Sequence, residues 1–161
     1  MSTPTVLGEV SSKIALLTSE LNSLANTACQ ISSVNGSSGV FANTNGSGAG
    51  GYLLGRLHLH LASSSPAANS AIDGWFINAA DGTNYESFTA GTPGVVPARA
   101  PDFSVPLAAV SSAAQDVEVV VQLPISGTFK ILVRNNGTGI TLPSSGNTLD
   151  LYPTTFFLPS L

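Results

Sequence analysis

Between Leu7 and Ile31 the apolar residues fall at Leu7, Val10, Ile14, Leu17, Leu21, Leu24, Ala28 and Ile31, with spacings that alternate three and four. A stripe with that seven-residue repeat predicts a helix that supercoils around a partner, because a straight helix cannot keep such a seam covered. Thr3 and Pro4 supply an N-cap and a first helical residue, since proline gives up a donor that is unpaired there in any case. Ser, Asn and Gly take over after Ser32, so the predicted helix belongs to residues 1–34. Its polar residues Ser11, Ser12, Thr18, Ser19, Asn22, Ser23, Asn26 and Thr27 cost about 4 kcal/mol in helix propensity relative to alanine. Burial of the larger stripe residues contributes on the order of 10–20 kcal/mol, so the segment needs a surface to lie on. That surface is either other copies of the chain or the chain's own β-domain. Branched residues among the d positions, Val10 and Ile31, and nearly uncharged flanks favour three strands, hence a homotrimer with these eight residues as its seam.

Residues 35–51 are rich in Gly, Ser and Asn and read as a pliant linker arm, with Val40 and Phe41 as its large apolar residues. From residue 52 the period changes to two. Leu57, Leu59 and Leu61 alternate with Arg56, His58 and His60, the pattern of a half-buried strand. Further strands are expected at Ile72 to Asn78, Val117 to Leu123, Phe129 to Arg134 and Leu149 to Tyr152. Turn signals separate them at Asp81-Gly82, Ser126-Gly127, Asn136-Gly137 and Ser145-Gly146-Asn147. Short strands with such turns predict an antiparallel β-sandwich or jelly roll over residues 52–161, making the chain mainly β with an N-terminal coiled-coil helix.

Charged residues make up 9% of the 161, against about 25% in ordinary soluble domains. So few charges fit a subunit packed against neighbours better than a free monomer. The formal net charge is −4, and Lys13, Arg56, Arg99, Lys130 and Arg134 form no run, so a nucleic-acid partner is not expected. Cys29 is the single cysteine, which excludes an intrachain disulfide framework. Neither a secretory signal nor an apolar run of membrane-spanning length is evident, and the chain is expected in the cytoplasm or assembled there.

Candidate chemistry is thin. His58 and His60 share a strand face but lack a third metal ligand nearby in sequence, and read as polar residues facing solvent or a subunit. The carboxylates Asp73, Asp81, Glu86, Asp102, Asp116 and Glu118 are scattered, and no hydrolytic pair stands out. Asp81-Gly82-Thr83-Asn84 reads as a hairpin turn rather than a calcium loop. A Gly-x-Ser-x-Gly elbow is missing. Trp75, Tyr52 and Tyr85 are candidates for a sugar-stacking platform, although a Trp in an Ile- and Phe-rich strand reads as core. Neither an enzyme nor a cofactor is expected.

The runs Trp75 to Glu86, Pro97 to Asp102, Phe129 to Asn136 and Ser145 to Leu149 resemble small β proteins among the structural proteins of tailed bacteriophages. The resemblance implies a jelly-roll virion component, a trimeric head decoration or cement protein whose partners are itself and the major capsid protein. The alternative is a receptor- or glycan-binding module of a tail fibre or tail tip.

Overall fold

The computed structural model describes residues 8–10, 13–33, 41–42, 54–79, 83–91, 94–124 and 128–156. These form the strands β1 (Gly8–Val10), β2 (Ile14–Leu17), β3 (Cys29–Ile31), β4 (Phe41–Ala42), β5 (Leu54–Ser64), β6 (Ser70–Ala79), β7 (Phe103–Leu107), β8 (Ala113–Gln122), β9 (Thr128–Asn136) and β10 (Thr148–Phe156). The first sheet runs β1-β10-β5-β8, with β2 sharing the β1 edge of β10; the second runs β3-β9-β6-β7, with β4 sharing the β3 edge of β9. All these pairings are antiparallel, so each sheet is four strands wide.

The expected β-sandwich is present, and its strands follow from alternation. Leu57, Leu59 and Leu61 on β5 and Leu149 and Leu151 on β10 are buried in one core with Ile72 and Phe76 of β6, Val105 of β7, and Phe129, Ile131 and Val133 of β9. Phe76 is central, with ring centroids 5.5 Å from Phe103 and 5.4 Å, edge-on, from Phe129. Gly74 sits opposite Phe103 in the β6–β7 register, and the Phe103 ring fills the place a Cβ would take there. Phe41, the apolar residue singled out in the arm, is buried and stacks on Phe129 at 5.8 Å; Val40 lies outside the described residues.

The expected N-terminal helix is absent among the described residues. The described residues before 34 contain β1, β2 and β3, with turns between β2 and β3, and both sheets draw on them. The seam residues Leu17, Leu21, Leu24 and Ala28 are buried, but in the core of their own chain. Ile14 is exposed, Ile31 is half-buried, Val10 lies in β1, and Leu7 lies outside the described residues. Of the two surfaces the stripe could lie on, the structure uses the chain's own β-domain, and the coiled coil is thereby corrected.

The reason lies in the polar residues between the stripe positions. Ser23 and Thr27 adopt φ of 57° and 66°, a left-handed conformation that ends a right-handed helix. The Asn22 Oδ1 accepts hydrogen bonds from the Asn147 backbone and side chain, and the Asn26 Oδ1 accepts one from the Gly139 amide. Glu20 accepts from the amides of Thr18, Ser19 and Ser33 and from the Ser33 hydroxyl. Side chains that bond to backbone in this way compete with helical hydrogen bonds and win where tertiary packing favours them.

Two predictions follow from this arrangement. Leu17 is fully buried in the sandwich, so Leu17→Asp should abolish the cooperative melt and the β-type circular dichroism, because an unpaired carboxylate cannot be hosted there. A folded Leu17→Asp chain with wild-type melting would contradict this packing. The second concerns acid. Burial works to raise the Glu20 pKa, yet the four hydrogen bonds hold it at about 2, below its ordinary 4.5. Its contribution, on the order of 3 kcal/mol, is present above pH 4.5 and is lost as pH falls from there toward 2. Glu20→Gln should be less stable at pH 7 and should flatten the acid limb of a stability-against-pH curve measured by urea unfolding.

Candidate functional site

The two sheets treat their outer faces differently. On the second sheet, Trp75 and Ile77 of β6, Leu132 of β9 and Cys29 of β3 form a second buried cluster, packed against Ile31, Tyr85, Phe88 and Val96. Residues 83–91 and 94–101 therefore lie over this face as a cover. Arg99 fastens it: its guanidinium donates to Glu86 at 3.0 Å, to Asp102 at 2.6 Å and to the Phe76 carbonyl at 3.1 Å. The Trp75 indole donates to the Arg99 carbonyl at 3.3 Å. Hydrogen bonds to Glu86 outweigh burial and hold the guanidinium in its charged form. Two cations lie against the aromatic rings, Lys130 4.4 Å from the Tyr85 centroid and Arg134 5.6 Å from that of Trp75. Cys29 is enclosed beneath Gly94, and burial raises its thiol pKa against the opposing charge of Arg134.

The sugar-stacking platform is thus not assembled. Trp75 is 1% exposed, Tyr85 packs on the covered cluster, and Tyr52 lies outside the described residues. Among the scattered carboxylates, Glu86 and Asp102 do converge, but on Arg99 rather than on each other as an acid–base pair. Asp73 pairs with Arg134 at 3.0 Å, and Asp81 lies outside the described residues.

The outer face of the first sheet is exposed along β8, half-buried at His58 and His60 of β5, and closed at Asp150 of β10. In register, Arg56 lies opposite Val120, His58 opposite Glu118 and His60 opposite Asp116 on β8, while His58 lies opposite Asp150 on β10. Arg56 pairs with Glu118 at 3.2 Å, and Lys13 pairs with Asp150 at 3.2 Å. Asp116 stands between the histidines, its Oδ1 2.8 Å from His60 Nδ1 and 3.3 Å from His58 Nε2. The His60 hydrogen bond holds the Asp116 carboxyl below its usual range. Sequence reading found the histidine pair and its polar face but missed the carboxylate, which is 56 residues away. The available signal was the alternation of Asp116 and Glu118 with Val117 and Val119, which gives β8 a polar face to match that of β5.

A cleft of about 310 Å³ opens at one end of the sandwich, lined by Phe76, Asn78, Asp102, Gln122, Leu123 and Pro124. Both Asp102 oxygens are engaged there, one by Arg99 and one by the Phe76 amide. No helix among the described residues is long and apolar enough to cross a membrane. Comparison with family models, with curated proteins and with solved structures finds no match to this chain.

If Arg99 fastens the cover, Arg99→Ala should loosen residues 83–101 selectively. Amide exchange in that stretch should speed up by at least about tenfold, with the core strands β5, β6 and β9 unchanged. Uniform acceleration across both sheets would show instead that Arg99 supports the whole sandwich.

Proposed function

We propose that the protein is a structural virion component, a jelly-roll-type decoration subunit that docks on the head of a tailed phage and acts by burial rather than by catalysis. The observation that carries this reading is the contrast between the faces: the chain covers the second sheet with its own residues 83–91 and 94–101 and leaves the β8 side of the first sheet exposed. A protein that spends part of its length covering one apolar face, while keeping a broad, charge-balanced face free, is suited to flat docking on a protein lattice. The scarcity of charge, 9% of residues, supports the same reading. So does the resemblance, three of whose four stretches, Trp75 to Glu86, Pro97 to Asp102 and Phe129 to Asn136, meet around the Arg99 fastening.

The major capsid protein is the proposed partner. A homotrimer remains part of this reading, but its contacts lie on surfaces outside the Leu7 to Ile31 stripe, whose buried members are used within the chain. The tail-module alternative rests on the end cleft, where Asn78 and Gln122 offer amide groups of the kind that hydroxyl-rich ligands require.

Phage particles lacking the protein test both readings. A decoration subunit binds the assembled shell and shifts its equilibrium by mass action, so particles without it should assemble, yet rupture at lower temperature and milder osmotic shock. The protein should be present in wild-type particles at a copy number comparable to the capsid protein. Particles as robust as wild type that fail to adsorb to cells, with few copies per particle, would replace this reading by the tail module.

A further inference from the structure

We infer that the free edge of β8 pairs antiparallel with β8 of a second copy of this chain, continuing the first sheet across a twofold axis at Val120. The contact is independent of any role in a virion, and being twofold it is separate from the homotrimer proposed above. An edge strand carries a row of unpaired N–H and C=O groups, which folded chains blunt with short strands, proline or charge. Most edges here are blunted. Strands β1, β2, β3 and β4 have 3, 4, 3 and 2 residues, and β7 has 5 with Pro106 among them. By contrast β8 runs for 10 residues without proline, lysine or arginine, and among the described residues it pairs with β5 alone. Its two charges are drawn away from the edge: Asp116 leans back to His58 and His60 of β5, and Glu118 to Arg56. Val120 is left 69% exposed, more than any other large apolar side chain described.

The sequence of β8 selects both the occupant and the register. Val117, Val119 and Val121 face the core, while Asp116, Glu118, Val120 and Gln122 face outward. A twofold axis perpendicular to the sheet keeps each set on its own side, so it passes through a residue that then stands opposite its own copy. Like charges directly opposite are unfavourable. An axis at Glu118 sets two glutamates together, one at Val117 sets Asp116 against Glu118 of the second copy, and one at Val119 makes the two Glu118 side chains diagonal neighbours. An axis at Val120 avoids all three. There Val120 meets Val120, Val119 meets Val121, and the Gln122 amide of one copy faces the Glu118 carboxylate of the other, where it can donate a hydrogen bond. Apolar residues meet apolar ones and the polar pair is complementary, so the strand is its own match.

The test measures self-association of the full chain by sedimentation velocity at micromolar to millimolar concentration. Val120→Glu should weaken it by at least about tenfold, because two glutamates would then meet on the axis beside Glu118 of each copy. The fold should not suffer: position 120 is exposed and lies opposite Arg56, so the melting curve should stay that of wild type. Ala114→Glu adds the same charge to the same outer face but beyond the paired stretch, and should leave association intact. A covalent readout fixes the register. Val120→Cys should give a disulfide-linked dimer on mild oxidation, whereas Ala114→Cys should not; the native Cys29, 1% exposed, does not compete. Wild-type protein that fails to associate at millimolar concentration would overturn the inference. So would association indifferent to Val120→Glu, or cross-linking as efficient at Ala114→Cys as at Val120→Cys.

Discussion

Two buried carboxamides, those of Asn135 and Asn147, hold the N-terminal segment in the sandwich, and the rest of the fold depends on them. Asn135 is inaccessible to solvent; its Nδ2 donates to the carbonyls of Leu24 and Ile140, and its Oδ1 accepts from Thr138. Its backbone donates to the Ala28 carbonyl and accepts from the Thr27 amide. Asn147, equally inaccessible, donates from Nδ2 to Asn22 Oδ1 and to the Pro143 carbonyl, and accepts the Ala62 amide at Oδ1. Each buried polar atom left without a partner costs about 1–3 kcal/mol, so the turns at 18–28 and the loop at 137–147 stand or fall together. Through them Leu17, Leu21, Leu24 and Ala28 reach the core.

This constraint explains what was and was not legible along the chain. The strands containing Leu57, Trp75, Val119, Ile131 and Leu151 were readable, because their period of two or their continuous apolar character follows from facing a core on one side or on both. The stripe from Leu7 to Ile31 was misread because a three–four spacing records burial, not conformation. Leu17 sits in a strand, Leu21 in a turn and Ala28 before β3, yet all face one core. What decides the conformation is held elsewhere: Asn22 and Asn26 are matched to Asn147 and Gly139, more than a hundred residues later. The low helix propensity of the segment was the local sign that its hydrogen bonds went to other partners.

The candidate sites were legible to the same extent and for the same reason. His58 and His60 are neighbours in sequence and their shared face follows from strand geometry alone. Asp116 joins them only through the β5–β8 register, which single-strand periodicity does not contain. Trp75 shows the converse. It lies on the outward side of β6, where alternation leaves it available to a ligand, and it is the cover formed by residues 83–91 and 94–101 that encloses it.

The use of charge ties the open face to the closed one. Apart from Glu9 and Asp81, the charged side chains have named partners: Lys13 with Asp150, Arg56 with Glu118, Arg99 with Glu86 and Asp102, Arg134 with Asp73, Lys130 over Tyr85, Asp116 with the histidines, and Glu20 with backbone amides. In a chain with only 14 charged residues, five basic and nine acidic, these groups serve as fasteners and leave the remaining surface to small neutral side chains. Charge pairs on the open face are already satisfied, so a partner need not desolvate an isolated ion to cover them, which lowers the main electrostatic cost of docking. A surface with few unpaired charges also resists association weakly. The same economy that closes residues 83–91 and 94–101 over Trp75 therefore leaves paired rather than isolated charges on the outer face of the first sheet.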